Sequence, residues 1–156
     1  RRQRQMCIRD RMEDVSVDEI LDELLPDLMD IYEHKQVRLI RKREEQPFII
    51  RCNHSLAQIL VSNLVKNSLL HNREGGELQV LTTPTSLVIK NTGDVPLDGE
   101  KLFRRFYHGM DGKKDSTGLG LAIARSIALS SSLKLTYEWQ DGMHTFRLVK
   151  ESKIYR

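Results

Sequence analysis

The order of hydrophobic patterns along the chain is the feature that most limits its fold. Three segments with helical spacing of apolar residues are each followed by two short β-prone runs, and a long polar loop precedes the third helix. Helices and strands arranged in this order bury their apolar faces against one another in layers. The pattern therefore predicts a two-layer α/β sandwich.

The first helical segment, SVDEILDELLPDLMDIYEHK, has an acidic start and a row of apolar residues on one face. Pro26 lies inside it and is expected to bend or interrupt the helix, because proline lacks a backbone N–H. Two β-prone runs follow, VRLIRKR and PFIIRC. The polar residues between these runs predict a pair of strands with a hairpin-like connection. The later pairs, ELQVLTT with SLVIKN and LKLTYEW with MHTFRLVK, are also expected to be antiparallel strand pairs.

The second helical segment, HSLAQILVSNLVKNSLLH, carries polar residues at the edge of its apolar face. Asn53 is expected to cap this helix. Asn63, Asn67 and His71 lie four residues apart and therefore form one row along the border of the buried stripe, where side chains can line a pocket. The expected buried residues are Ala57, Leu60, Val61, Leu64, Val65 and Ser68.

The length and composition predict one globular domain with a single core. The chain has 156 residues, of which 39% are hydrophobic, and contains no apolar run of the roughly eighteen residues that a membrane span needs. Cys7 and Cys52 lie far apart without the spacing of a zinc site or a disulfide framework. A reducing compartment, the cytoplasm, is therefore expected.

The first eleven residues, RRQRQMCIRDR, resemble the translation of a transposon-type sequencing adapter and are expected not to be native. They contribute five arginines and one aspartate to the 25 basic and 22 acidic residues, so without them the counts are 20 and 21 and the formal net charge is −1 rather than +3. The alternative, a native basic arm, requires a coincidence over eleven residues. No nucleic-acid partner is expected, and the natural protein is expected to extend upstream of Met12.

The glycines of DSTGLGLAIARSIA stand immediately before an apolar, alanine-rich helix. Gly118 and Gly120 flank a leucine and indicate a helix entrance, where backbone N–H groups can bind an anion. On its own, such a short pattern is more typical of a glycine turn that leads into a packing helix. Other motifs are needed to decide between these interpretations.

Four motifs in a fixed order resemble those of the ATP-binding catalytic domain of sensor histidine kinases, within the superfamily that includes gyrase-type ATPases. LVSNLVKNSLLHN resembles the N box, VIKNTGDVPL the first glycine box, LFRRFYHG the F box and STGLGLAIARSIA the second glycine box. The resemblance implies a Bergerat-type α+β fold: a mixed, mostly antiparallel sheet packed on about three helices, with a mobile ATP lid. It assigns residues 12–150 to this domain and 151–156 to a short tail.

The resemblance also implies roles for residues of the N box and the first glycine box. Asn67 is the expected Mg²⁺ ligand, since this ion prefers oxygen ligands and keeps several waters. Asn63 is expected to bind phosphate or a metal-bound water, and His71 phosphate or ribose. Asn91 stands where the family usually has Asp, and its amide oxygen can still accept a hydrogen bond from the adenine amino group. Gly93 is expected to allow the base close access to the backbone.

Between the F box and the second glycine box, YHGMDGKKD is expected to form the mobile lid. Arg105 matches the basic F-box position, but His108 stands where arginine commonly follows and Ser116 where glycine is frequent. Lys113 or Lys114 is therefore considered as a cation that acts when the lid closes. The expected catalytic residues are Asn63, Arg105 and His108. The expected nucleotide contacts from the F box onward are Phe106, Tyr107, Lys113, Lys114, Thr117, Gly118, Leu119 and Gly120.

The activity that the resemblance implies is transfer of the γ-phosphoryl group of Mg-ATP to a histidine. The acceptor would lie on an upstream dimerisation and phosphoacceptor helical hairpin of the same or the partner subunit, and a response regulator receiver domain would take the phosphoryl group from it. None of the histidines here lies in such a hairpin, so the chain is expected to bind ATP without phosphorylating itself. The full-length protein is expected to be a homodimer that reaches a membrane only through upstream segments.

Two other functions are compatible with parts of the sequence. An ATPase of the gyrase, chaperone or mismatch-repair kind uses a Glu of the N box to activate water, but Asn63 holds that position and an amide is not a general base. A catalytically degenerate ATP-sensing or partner-docking module of the same fold is indicated by Asn91, by His108 and by Leu70, where the N box often has Lys. Phosphotransfer assays distinguish this module from a kinase.

Overall fold

A computed structural model describes residues 11–99, 101–104 and 120–151 of the chain. Within these ranges it contains three α-helices and seven β-strands. In chain order they are β1 (Met12–Ser16), α1 (Val17–Ile31), β2 (Arg38–Arg43), β3 (Ile49–Asn53), α2 (His54–Leu70), β4 (Glu77–Thr83), β5 (Ser86–Thr92), α3 (Gly120–Ser130), β6 (Leu133–Gln140) and β7 (Met143–Lys150).

The larger sheet has five strands in the order β2-β4-β5-β7-β6. Only the β2–β4 pair is parallel, and the other three pairs are antiparallel. The three helices pack against this mixed sheet, so the predicted α+β sandwich is confirmed. Both predicted hairpins, β4–β5 and β6–β7, are present. Among the described residues, no helix has the length and apolar character needed to cross a membrane.

The predicted pairing of VRLIRKR with PFIIRC is wrong. The first run is β2, which pairs in parallel with β4, whereas the second is β3, which pairs antiparallel with β1 in a separate two-stranded sheet. Strand β1, which directly precedes the first helix, was not predicted. The two runs therefore belong to different sheets, and the polar link between them is a crossing connection rather than a turn.

A buried carboxylate fixes the path of the segment that connects β2 to β3. Asp18, in the first turn of α1, accepts hydrogen bonds from the backbone N–H of Phe48 at 2.7 Å and from the hydroxyl of Thr82 at 2.6 Å. Arg41 of β2 also donates to it, at 3.3 Å. The chain before β3 is thus held by helix α1 and not by a neighbouring strand of the larger sheet. A charge buried in this way is tolerated because it is paired and hydrogen-bonded.

Helix α1 continues from Val17 to Ile31 through Pro26, so the predicted interruption is wrong. Pro26 is exposed, and the apolar residues on either side of it, Leu25 and Leu28, are buried. The missing N–H therefore lies away from the core, while burial holds the helix together on the other face. The helix ends before Glu33, earlier than the segment SVDEILDELLPDLMDIYEHK predicted.

Helix α2 begins and packs as predicted. The side chain of Asn53 accepts a hydrogen bond from the backbone N–H of Leu56 at 3.1 Å, which caps the helix. The predicted apolar stripe is buried, with Leu69 in addition. The buried residues of this face are Ala57, Leu60, Val61, Leu64, Val65, Ser68 and Leu69.

On the helix-facing side of the sheet, residues of β5, β7 and β6 form three cross-strand rows. Directly paired residues of antiparallel strands lie on the same face, and successive rows on that face are two residues apart. The first two rows are apolar or aromatic, and the third is polar and nitrogen-rich. The rows are Leu87–Leu148–Leu135, Ile89–Phe146–Tyr137 and Asn91–His144–Trp139.

Candidate functional site

The three polar residues predicted to form a row on α2 are all half-buried and lie at the border of its apolar stripe. Asn63 donates a hydrogen bond from Nδ2 to the carbonyl oxygen of Gly120 at 3.2 Å, so it links α2 to the first residue of α3. Among the described residues, none forms a hydrogen bond with the side chain of Asn67. His71 ends the helix, and its backbone N–H donates to the carbonyl oxygen of Asn67 at 3.1 Å.

Gly120 is the first residue of α3, and its described surroundings do not require glycine. A Cβ atom added there would lie 3.9 Å from Cγ of Asn63, which is an ordinary van der Waals contact. No acidic residue lies in the first turn of α3. The N–H groups of a helix's first turn have no intrahelical partners, and they attract anions when no nearby carboxylate competes.

A second group of residues lies at the end of β5. Asn91 is 1% exposed and donates from Nδ2 to the carbonyl oxygen of Thr92 at 3.2 Å. Its Oδ1 is also buried, and no described residue donates a hydrogen bond to it. A buried acceptor without a donor costs about 1–3 kcal/mol. The arrangement therefore fits a ligand that brings an N–H group to Oδ1, as the adenine amino group does.

Gly93 follows two residues later on the same face and is in close contact with His144. A Cβ atom added to Gly93 would lie 2.0 Å from Nε2 of His144, so no larger residue fits while the imidazole keeps its place. The carbonyl oxygen of Gly93 accepts a hydrogen bond from Nε1 of Trp139 at 2.8 Å, and its N–H donates to Gly142 at 3.0 Å. In this structure the close approach to Gly93 is made by a histidine of the protein itself.

His144 and its neighbours were missed by the sequence analysis. The imidazole is 6% exposed, and its Nδ1 lies 2.8 Å from the hydroxyl oxygen of Tyr137. That oxygen also accepts a hydrogen bond from the backbone N–H of Leu97 at 2.9 Å. One signal was available: in MHTFRLVK, His144 lies two residues before Phe146 and so falls on the same, buried face of the strand.

Nine of the predicted site residues lie outside the described residues, and so does the whole of the predicted lid. The chain before that gap is anchored by Phe103, whose ring packs edge-on against Phe146 with centroids 6.4 Å apart. This contact holds the segment that follows β5 against the sheet. The nine residues are Arg105, Phe106, Tyr107, His108, Lys113, Lys114, Thr117, Gly118 and Leu119.

Within the described ranges, no group of three or more His, Cys, Asp or Glu side chains is arranged to hold a metal ion. A metal at this site would therefore rely on amide, phosphate and water oxygens. This is the donor set that Mg²⁺ accepts when it binds together with a nucleotide. The side chain of Asn67 fits that requirement, since it presents an amide oxygen at the border of the helix.

Residues 52–151 match the sequence family described as histidine kinase-, DNA gyrase B- and HSP90-like ATPases. This chain belongs to that family. The relatives that match this chain include sensor histidine kinases. The match covers α2, α3 and strands β4 to β7, which carry both groups of site residues.

Similar proteins support this assignment. The chain is 39% identical over 77 residues to the sensor histidine kinase YvrG of Bacillus subtilis, an alignment that covers 44% of this chain and 13% of YvrG. The aligned part of the chain thus spans about one eighth of that relative. The catalytic domain of the histidine kinase ThkA has the same fold, with a TM-score of 0.76 at 19% identity over 88% of this chain and 93% of that domain. ThkA in complex with the response regulator protein TrrA matches with a TM-score of 0.68 at 17% identity, covering 90% of this chain and 42% of ThkA.

Proposed function

We propose that this domain binds ATP together with Mg²⁺ and transfers the γ-phosphoryl group to a histidine of a phosphoacceptor hairpin in the same or the partner subunit. A response regulator then takes the phosphoryl group, as the complex of ThkA with TrrA suggests. The full-length protein is a homodimer with this domain in the cytoplasm, where ATP is available. Phosphoryl transfer depends mainly on positioning and charge neutralisation, so a domain that holds the nucleotide rigidly contributes most of what is needed.

The buried, unpaired Oδ1 of Asn91 is the observation that carries the proposal. The hydrogen bond from Nδ2 to Thr92 fixes the amide so that oxygen, not nitrogen, is the atom left to bind a ligand. Asn91 therefore offers an acceptor to the adenine amino group, as the Asp usual at this position does. The replacement removes a negative charge but retains the hydrogen bond that recognises the base.

The phosphate end of the site is formed by α2 and the start of α3. Asn63 holds the two helices together through Gly120, which places the N–H groups of the first turn of α3 beside the polar row of α2. Those N–H groups bind phosphate oxygens, and Asn67 supplies an oxygen to the metal ion. Mg²⁺, when bound, neutralises part of the phosphate charge. His71 continues the row toward the ribose and phosphates.

Calorimetric titration of the whole chain with a non-hydrolysable ATP analogue, with and without Mg²⁺, tests the binding step. Binding is expected to depend on Mg²⁺, and Asn67→Ala is expected to weaken it about tenfold or more, as the loss of a contact to a charged group does. Gln58→Ala is the matched control, because Gln58 is exposed on the same helix and its spacing from Asn63, Asn67 and His71 puts it on the opposite side from the row. A folded chain that does not bind the analogue would contradict the proposal.

Transfer is tested by mixing the chain with a separately purified phosphoacceptor hairpin of a sensor histidine kinase and γ-labelled ATP. Label is expected on the hairpin only when the chain is present, and none is expected on the chain alone. Transfer of the label from the hairpin to an added receiver domain completes the test. Label that remains stably on the isolated chain would contradict the assignment of the acceptor to another domain.

A catalytically degenerate ATP-sensing or docking module is the second candidate. The observation that favours it is the imidazole of His144 against Gly93, at a position where the family resemblance implies that the base approaches. The two functions differ in the transfer assay. ATP binding without label on any hairpin would support the sensing or docking module, whereas label on the hairpin would exclude it.

A further inference from the structure

The β6–β7 hairpin binds both backbone polar groups of Gly93. The N–H of Gly93 donates to the carbonyl oxygen of Gly142 in the hairpin turn at 3.0 Å, and its carbonyl oxygen accepts from Nε1 of Trp139 on β6 at 2.8 Å. Gly93 lies just beyond Thr92, where β5 and its pairing with β7 end. Glycine has more backbone freedom than any other residue, and the two hydrogen bonds restrict that freedom at this point.

The position of Gly93 decides which atom of the Asn91 side chain a ligand meets. Nδ2 of Asn91 donates to the carbonyl oxygen of Thr92 at 3.2 Å, which leaves Oδ1 as the buried acceptor. That carbonyl and the N–H of Gly93 belong to one planar peptide group, so they move together. A rotation at Gly93 would turn the Thr92 carbonyl as well, and the Asn91 amide would lose the contact that orients it.

Trp139 contributes less to the core than the aromatic residue of the preceding row. Its side chain is 38% exposed, whereas Phe146 is 1% exposed. The indole N–H is a donor only, and the carbonyl oxygen of Gly93 is its acceptor. On the basis of the proposed ATP binding, we propose that Trp139 is a positioning residue for base recognition. It holds Gly93 and so keeps Oδ1 of Asn91 directed at the 6-amino group of adenine, without touching the base itself.

A nucleotide without the 6-amino group measures this positioning. Purine riboside triphosphate differs from ATP by that group alone, so the ratio of the two dissociation constants reports the hydrogen bond to Oδ1 of Asn91. The wild-type chain is expected to bind ATP about fivefold more tightly, the effect of one hydrogen bond. Trp139→Phe retains an aromatic ring but has no N–H, and it is expected to reduce this preference to less than about twofold. A loss of packing alone would weaken both nucleotides equally and leave the ratio unchanged.

Two further variants give the limits of the result. Asn91→Ala removes the acceptor and is expected to bind the two nucleotides equally. Ser86→Ala is the matched control, because it removes one side-chain hydrogen bond, the 2.8 Å contact with Thr83, at the opposite end of β5. It is expected to keep the wild-type ratio.

The hydrogen bond of Trp139 can also be measured in the wild-type chain. The chain contains one tryptophan, so the indole N–H gives a single signal in a proton–nitrogen correlation spectrum. This N–H is expected to exchange with solvent more slowly in the folded chain than in the chain unfolded in urea. ATP is expected to slow the exchange further, and purine riboside triphosphate to slow it less, because coupling between two binding events acts in both directions.

The outcomes separate this inference from the proposed function. If the wild-type chain prefers ATP and Trp139→Phe keeps the full preference, Trp139 does not position Asn91, and the proposed ATP binding stands. The same conclusion follows if ATP and the analogue bind the wild type equally or change the indole exchange equally. If the folded chain binds neither nucleotide, both the proposed function and this inference are wrong. Circular dichroism shows whether Trp139→Phe folds, and the exchange measurements on the wild type decide the question if it does not.

Discussion

Replacing Gly93 with alanine places a methyl group in the space that the imidazole of His144 occupies. The added Cβ atom would lie 2.0 Å from Nε2 and 2.1 Å from Cδ2, whereas non-bonded carbon atoms pack at about 3.5–4.0 Å. The ring therefore has to move by about 1.5 Å. Such a shift breaks the 2.8 Å contact between Nδ1 and the hydroxyl of Tyr137.

Two effects add up in the Gly93→Ala variant. Loss of the hydrogen bond to Tyr137 costs about 1 kcal/mol, and overpacking of a buried site typically costs about 1–3 kcal/mol. The free energy of unfolding, measured by urea denaturation with circular dichroism, is therefore expected to fall by about 2–4 kcal/mol. Gly120→Ala is the matched control, since its added Cβ atom would lie 3.9 Å from the nearest atom of Asn63. That change is expected to alter stability by less than about 1 kcal/mol.

A double-mutant cycle identifies the cause. In the His144→Ala background the ring is gone, so adding Gly93→Ala is expected to cost less than about 0.5 kcal/mol, with a coupling energy of about 1.5 kcal/mol or more between the two sites. An equal loss of stability in both backgrounds would refute the reasoning. It would show that something other than the imidazole requires glycine at this position.

Three further changes test other parts of the structure. Asp18→Ala is expected to lower the free energy of unfolding by about 3–5 kcal/mol in urea denaturation, because the groups that donate to this buried carboxylate lose their acceptor. Asp22→Ala, at an exposed carboxylate one turn later, is the control and is expected to cost less than about 1 kcal/mol. Similar losses for both variants would contradict this difference. Asn53→Ala is expected to cost about 1 kcal/mol through loss of the α2 cap, and a change below about 0.3 kcal/mol would argue against that cap. Asn91→Leu is expected to keep or raise the thermal unfolding midpoint of the chain without ligand, because it removes a buried unpaired acceptor. It is also expected to abolish the increase in this midpoint that ATP produces in the wild type. An ATP-induced increase as large as in the wild type would exclude Asn91 from the site.

Local patterns predicted the helices and both hairpins because these depend on neighbours in sequence. Apolar spacing located α2 and its buried face, and turn residues located the β4–β5 and β6–β7 connections. The partners of β2 and β3 were not predictable in this way. Which strands β2 and β3 pair with depends on two features that local patterns do not reveal. One is the burial of Asp18, which is distant in sequence and binds the chain before β3. The other is β1, which is too short to show a clear alternation.

The same distinction holds for the candidate site. Asn63, Asn67 and Asn91 were predicted as site residues from the sequence because each lies in a motif that is read along one segment. His144, Tyr137 and Trp139 were missed because they converge only through the register of three strands. His144 interrupts the apolar alternation of MHTFRLVK, and this interruption becomes meaningful once Asn91 is known to lie opposite it.

Gly93 connects the stability of this end of the sheet with recognition of the nucleotide. The family resemblance assigns the glycine to the approach of the base, while the structure assigns it to the approach of His144. The first assignment belongs to the proposed function, and the second is the contact that fixes glycine at this position. The row that contains Asn91 and His144 is expected to be less stable than an apolar row, because Oδ1 of Asn91 has no donor among the described residues. Such a loss of stability is typical of binding sites, so the proposed nucleotide site accounts for the polar residues at the end of the otherwise apolar face that β5 and β7 share.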